Sequence, residues 1–147
     1  MLVRELMTES VVTAQPARSL RDIAQAMRAR NVGSVVLVDG SRPVGIITDR
    51  DLALSVVADG RDPAARSGDH ASSPVITAEP DMDVEEAAEK MIRHGVRRLV
   101  VVEGGRLAGV VTLDDIVSRT GERVSELSAR ITRAAMPDYF FHARGET

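Results

Sequence analysis

Hydrophobic and polar positions along this chain pass through one series of periods and then pass through it again. Val11-Val12-Thr13 is a short β-branched run stopped by Pro16, whose fixed φ and missing N–H end a ladder, so a strand is predicted there. Leu20, Ile23, Ala24 and Met27 then recur at helical spacing, behind a capping signal of Ser19 with Asp22, and Asn31 marks a stop. Ser34 to Val38 is an apolar run of strand length, Asp39-Gly40 begins a turn, and Val44 to Ile47 forms a second run, which together predict a hairpin. From Thr48 the pattern becomes helical once more, carrying Leu52, Val56 and Val57. The unit therefore reads strand, helix, strand, strand, helix.

The second pass keeps the order, with a strand at Val75 to Thr77, a helix from Asp83 through Met91, a hairpin about Glu103-Gly104-Gly105, and a helix opening at Thr112. Asp83 with Glu86 signals a helix start and His94-Gly95 a helix end. The copies align at a constant offset: Met27 falls on Met91, Val32 on Val96, Val36 on Val100, Gly40 on Gly104 and Arg42 on Arg106. Such a repeat predicts two units related by a pseudo-two-fold axis. The expected boundaries are 1–62 for the first, 63–122 for the second, and 123–147 for a C-terminal helix and tail. Ala58 to Ser73, rich in Gly, Asp, Ser and Pro, reads as the linker. Beyond the repeats, Val124, Leu127, Ile131 and Ala134 predict an amphipathic helix broken at Pro137, and Tyr139-Phe140-Phe141 reads as a tail docked on its own domain, a dimer contact or a partner motif.

Composition narrows the picture. A unit of roughly 60 residues is marginal alone, so two units sharing a core are expected. With 44% hydrophobic and only 2% aromatic residues, that core is aliphatic. A net charge of -3 gives no electrostatic footprint for nucleic acid or an anionic membrane. The absence of cysteine excludes disulfides, thiolate metal sites and thiol nucleophiles. No run has the length of a membrane span and Met1-Leu2-Val3-Arg4-Glu5 lacks the pattern of a signal peptide, so a cytoplasmic protein is expected.

The sharpest chemical signal is Gly-x-x-Thr-x-x-Asp, found at Gly45-Ile46-Ile47-Thr48-Asp49-Arg50-Asp51 and again from Gly109 through Thr112 to Asp115. A glycine permits close approach to the strand backbone, and each threonine stands where the first amides of a helix favour an anion such as phosphate. Asp51 and Asp115 lie one turn further in, where a carboxylate can accept from the two hydroxyls of a ribose. The same Thr-x-x-Asp is also a capping-box variant that stabilises a helix by about 1 kcal/mol, and the two roles can coexist.

These elements resemble the cystathionine-β-synthase (CBS) domain, twice over. The match runs from Met1 to about Glu122, through Asn31-Val32-Gly33-Ser34-Val35-Val36-Leu37-Val38, the first Thr-x-x-Asp motif, Gly95-Val96-Arg97-Arg98-Leu99-Val100-Val101-Val102 and the second motif. The resemblance implies a mixed α+β fold of tandem CBS repeats, each strand-helix-strand-strand-helix, forming a CBS pair or Bateman module without an attached enzyme. It implies adenosine-containing ligands (AMP, ADP, ATP or S-adenosylmethionine) in clefts between the repeats. Thr48, Asp51, Thr112 and Asp115 match the family's threonine and aspartate, while Val12 and Ile76 match its adenine-enclosing positions. A homodimer is implied too, with output through an effector protein or a change of assembly.

The copies diverge where selectivity should lie: Gly33-Ser34 becomes Arg97-Arg98, and Asp49-Arg50 becomes Leu113-Asp114. Arg50, Arg97 and Arg98 are candidate phosphate partners because a guanidinium fork matches phosphate oxygens. Adjacent acids at Asp49 with Asp51 and at Asp114 with Asp115 could recruit Mg beside a polyphosphate. His70, His94 and His142 show no metal-ligand spacing, and no activated nucleophile is evident, so a non-enzymatic regulator is expected. The alternatives are a ligand-free module for oligomerisation or partner docking, and metal-assisted hydrolysis of a bound nucleotide.

Overall fold

The computed structural model describes residues 1–120 and 125–135. Expectations on Val124, Pro137, Tyr139-Phe140-Phe141 and the side chain of Leu127 lie outside the described residues. In chain order the elements are α1 (Val3–Leu6), β1 (Thr13–Ala14), α2 (Leu20–Arg30), β2 (Ser34–Asp39), β3 (Arg42–Thr48), α3 (Asp49–Leu52), β4 (Thr77–Ala78), α4 (Val84–His94), β5 (Arg98–Glu103), β6 (Arg106–Thr112), α5 (Leu113–Thr120) and α6 (Ser125–Ala135). The fold is the mixed α+β repeat expected, with three-stranded sheets ordered β1-β2-β3 and β4-β5-β6.

The chain forms two compact units. One contains Ser10–Val75 with Gly104–Leu107, and is called here the first unit after its repeat; the second contains Met1–Glu9, Ile76–Glu103 and Ala108–Thr147. In the first, β1 runs parallel to β2, with Thr13 opposite Val36, and β3 returns antiparallel, with Ser34 opposite Thr48. Its core gathers Leu20, Ile23 and Met27 of α2 with Val35, Leu37 and Ile47 of the hairpin. That is the helical stripe the spacing predicts. Ala24 falls outside it and is exposed. The Ser19 hydroxyl accepts from the Asp22 N–H at 3.0 Å, and α2 stops at Asn31 in the left-handed region with φ 52.

The helix after β3 widens. Past Leu52 it continues as π-helical turns over Ala53–Ala58, with the Asp59 N–H reaching the Leu54 carbonyl at 2.9 Å. The wider turn shifts the helical face, so Leu52 and Val56 pack on the core while Val57, read with them on this helix, is 83% exposed.

In the second unit β4 runs parallel to β5, with Thr77 opposite Val100, and α4 buries Val84, Ala87, Ala88 and Met91. Asp83 caps α4 by accepting from the Glu85 N–H at 2.9 Å rather than through the expected Glu86, and Gly95 closes it with φ 63. α6 packs against α4 and α5, and its Ile131 is fully buried.

Two segments go where sequence order does not send them. Met1–Glu9 precedes the first repeat but belongs to the second unit: Val3 N–H donates to the Met82 carbonyl at 2.9 Å, Arg4 N–H to that of Pro80 at 3.0 Å, and Val3 and Leu6 are buried in the second core. The Arg4 guanidinium is hydrogen-bonded to the Asp81 carboxylate. Residues 63–75, which lead into the second repeat, pack instead on the first unit. Leu20 N–H donates to Ala65 carbonyl and Arg21 N–H to Pro63 carbonyl, both at 2.9 Å, and Ser67 is fully buried. The presumed linker is thus bonded structure over much of its length.

Candidate functional site

Each unit builds the same junction. The lead segment pairs with the last hairpin strand one residue after the motif glycine: Ser72 N–H to Ile46 carbonyl at 2.9 Å with the return bond at 3.3 Å in the first unit, and Thr8 N–H to Val110 carbonyl at 2.9 Å with the return at 3.0 Å in the second. This pairing explains the glycines. A Cβ at Gly109 would fall 2.7 Å from the Thr8 carbonyl oxygen, and one at Gly45 would fall 3.1 Å from the Ala71 methyl. The group whose close approach the sequence signalled is therefore the chain's own lead. Met7, Thr8, Ala71 and Ser72 are neighbours of the site that sequence order conceals. The sequence marks them twice, through the glycines and through the divergence of Glu5-Leu6-Met7-Thr8 from Asp69-His70-Ala71-Ser72, but not with the unit that each lead serves.

At the strand-to-helix junction, threonine and aspartate lock together. Thr48 N–H donates to Asp51 Oδ2 at 2.8 Å and Asp51 N–H donates to Thr48 Oγ1 at 3.1 Å. The second unit repeats both bonds, at 2.8 and 3.2 Å, and adds Thr112 Oγ1 to Asp115 Oδ2 at 3.0 Å. The capping role expected of the motif is thus realised in both copies. All four residues are only half-buried, so the pair stands at the surface with its orientation fixed.

The remaining candidates divide between the units. Val12 is half-buried on the first core, its carbonyl accepting from Val36 N–H at 3.0 Å; Ile76 does the same on the second, accepting from Val100 at 3.1 Å. β1 and β3 flank β2, which sets Val12, just before β1, and Thr48, at the end of β3, on either side of one central strand. Arg50 is exposed in the first turn of α3, with its N–H on Asp49 Oδ1 at 2.9 Å. Arg97 is half-buried and forms an ion pair with Asp114 at 3.8 Å, while Arg98 opens β5. Among the described residues no group of three or more His, Asp or Glu is placed to hold a metal ion, and no helix is long and apolar enough to cross a membrane.

Two strand-helix-strand-strand-helix units, each ending its hairpin in a locked Thr-x-x-Asp pair, define the class, and the family model described as "CBS domain" matches residues 3–58 and 68–122. The chain belongs to the CBS-domain family, as a tandem pair. It is 43% identical over 118 residues to the Uncharacterized protein MK0525 of Methanopyrus kandleri, covering 78% of this chain but only 60% of that protein's length. Among solved structures it is similar to the CBS domain protein PAE2072 from Pyrobaculum aerophilum complexed with AMP, at 32% identity and TM-score 0.76 over 88% of this chain and 99% of that one. It is also similar to the CBS domain pair of protein MJ0100 in complex with 5′-methylthioadenosine and S-adenosyl-L-methionine, at 30% identity and TM-score 0.73 over 82% and 94% of the two chains. Hypoxic Response Protein I, solved with two coordinated zinc ions, matches at 30% identity and TM-score 0.73 over 81% and 98%.

Proposed function

We propose that this CBS pair is a non-catalytic regulatory module whose Thr-x-x-Asp junctions bind an adenosine-containing ligand. The observation that carries the reading is the recurrence of one surface-accessible hydroxyl–carboxylate pair, held by the same two backbone bonds, at the end of a hairpin strand in both units. One Asp oxygen serves the cap, and the carboxylate retains lone pairs for ribose hydroxyls. Adenine lies against Val12 or Ile76, since the repeats contain no aromatic side chain to stack on. Phosphates meet the threonine and the arginines at 50, 97 and 98, with Mg accompanying a polyphosphate. The solved relatives carrying AMP, or methylthioadenosine with S-adenosylmethionine, support this ligand class. The module acts in the cytoplasm as a homodimer and passes its state to an effector protein.

Calorimetry with AMP, ATP and S-adenosylmethionine tests the reading. A ligand at a hundred times its Kd raises stability by about 2.7 kcal/mol, and Asp51→Ala with Asp115→Ala weakens binding about ten- to a hundred-fold. Unchanged affinity in the double variant overturns the site assignment. A second reading, a ligand-free scaffold, is favoured by the capping bonds themselves, which account for both motifs without a ligand; silence across the panel selects it.

A further inference from the structure

The two units bear opposite net charge. The first holds nine basic and seven acidic residues, the second ten and fifteen. The contrast falls on the starts of α2 and α4, which hold equivalent places: Ser19 caps one and is bridged to Arg66 of its lead, and Asp83 caps the other and is bridged to Leu2. Arg18, Arg21 and Arg66 are all exposed. Ser67 N–H donates to the Arg18 carbonyl at 2.7 Å and Arg21 N–H to the Pro63 carbonyl at 2.9 Å, so helix and lead bring the three arginines to one corner. Asp22 is the one acid of that first turn. At α4 the same three places are held by Met82, Glu85 and Leu2, beside exposed Asp81, Asp83 and Glu86. Arg4 sits on Asp81 and the Met1 amino group lies 3.7 Å from Asp83, whereas Glu85 and Glu86, like the three arginines, enter no ion pair among the described residues. The helix dipole accounts for the acids at the positive end of α4, but Arg18 and Arg21 lie at the same end of α2 and work against it. The last turns are basic in both helices, as the dipole favours, so the contrast belongs to the first turns.

We propose that a second copy of this chain docks head to tail, the arginine corner at the start of α2 in one copy meeting the acidic start of α4 in the other. Unlike faces attract and like faces repel, so the charges select first unit against second over either unit against itself. Leu2, 36% exposed, gives the contact an apolar component at the acidic corner. The arginines that oppose the dipole of α2 then find their compensation in the partner's carboxylates. The inference gives the homodimer proposed above its surfaces; it rests on that assembly and not on the ligand.

Sedimentation of the full chain over a range of concentrations, at about 0.05 and 0.5 M NaCl, tests the docking on the wild type, Arg21→Glu, Glu85→Arg and the variant carrying both. Self-association is expected to weaken at high salt and about tenfold in each single reversal, and to return in the combined variant. Thermal melts verify folding, and Glu85→Gln, with a smaller loss, stands in should Glu85→Arg not fold. A dimer indifferent to these changes, or single losses that the combined variant does not recover, overturn the docking while the homodimer survives. A chain monomeric at every concentration and salt overturns both, assigns the two corners to other proteins and leaves adenosine binding untouched.

Discussion

Gly45 and Gly109 hold the same place in their motifs yet bear different loads. At Gly109 an added methyl runs into the backbone oxygen of Thr8, which is tied by its own N–H to Val110; at Gly45 the one tight neighbour is the Ala71 methyl at 3.1 Å, with the Ser72 oxygen at 3.6 Å in ordinary contact. Gly109→Ala is therefore expected to cost about 1–3 kcal/mol in urea denaturation, and Gly45→Ala clearly less. At this scale the sequence was legible in kind and not in partner. The motif announced a backbone approached closely, but a contact between Gly109 and a residue about a hundred positions earlier leaves no periodic mark from which the approaching group can be named. Thr-x-x-Asp was readable in full as a cap because every atom of that bond set lies within one turn.

Elements were predicted best where local chemistry fixes them. The hairpins follow from apolar runs broken at Asp39-Gly40 and Gly104-Gly105, where positive φ at the glycines makes the turn. The first-repeat strand was expected at Val11 to Thr13 and forms at Thr13–Ala14, because its pairing begins where Val36 lies opposite Thr13. Val57 was read with Leu52 and Val56 on a helix of 3.6-residue period, which the π turns do not keep. Val57→Ser should thus change stability by no more than about 0.5 kcal/mol, whereas Val56→Ser should cost distinctly more in the same denaturation experiment. The opposite case is Ile131, fully buried where α6 packs on its neighbours. Ile131→Ala is expected to cost about 2–5 kcal/mol, read as a lower midpoint in urea with unchanged slope.

At the scale of the whole molecule, neither unit is one uninterrupted stretch of sequence. The second core contains Val3 and Leu6, and the first unit takes in Gly104–Leu107, with Leu107 N–H donating to the Ser41 carbonyl at 2.8 Å. A fragment beginning at residue 63 should therefore lack cooperative thermal unfolding by circular dichroism, and adding a peptide of residues 1–9 should restore part of it. Duplication was plain from the alignment of the copies, and with it the number of units. Which lead serves which repeat was not, since both leads are short and neither has a period of its own.

The exchanged leads carry a practical lesson for anyone building chimaeras from such duplicated proteins. Transplanting the second repeat by its obvious borders would strip Val110 of the two hydrogen bonds it makes with Thr8 and bare a strand edge, which invites association with stray chains. A graft that brings Met1–Glu9 along, spliced through a new connector, would keep that edge closed.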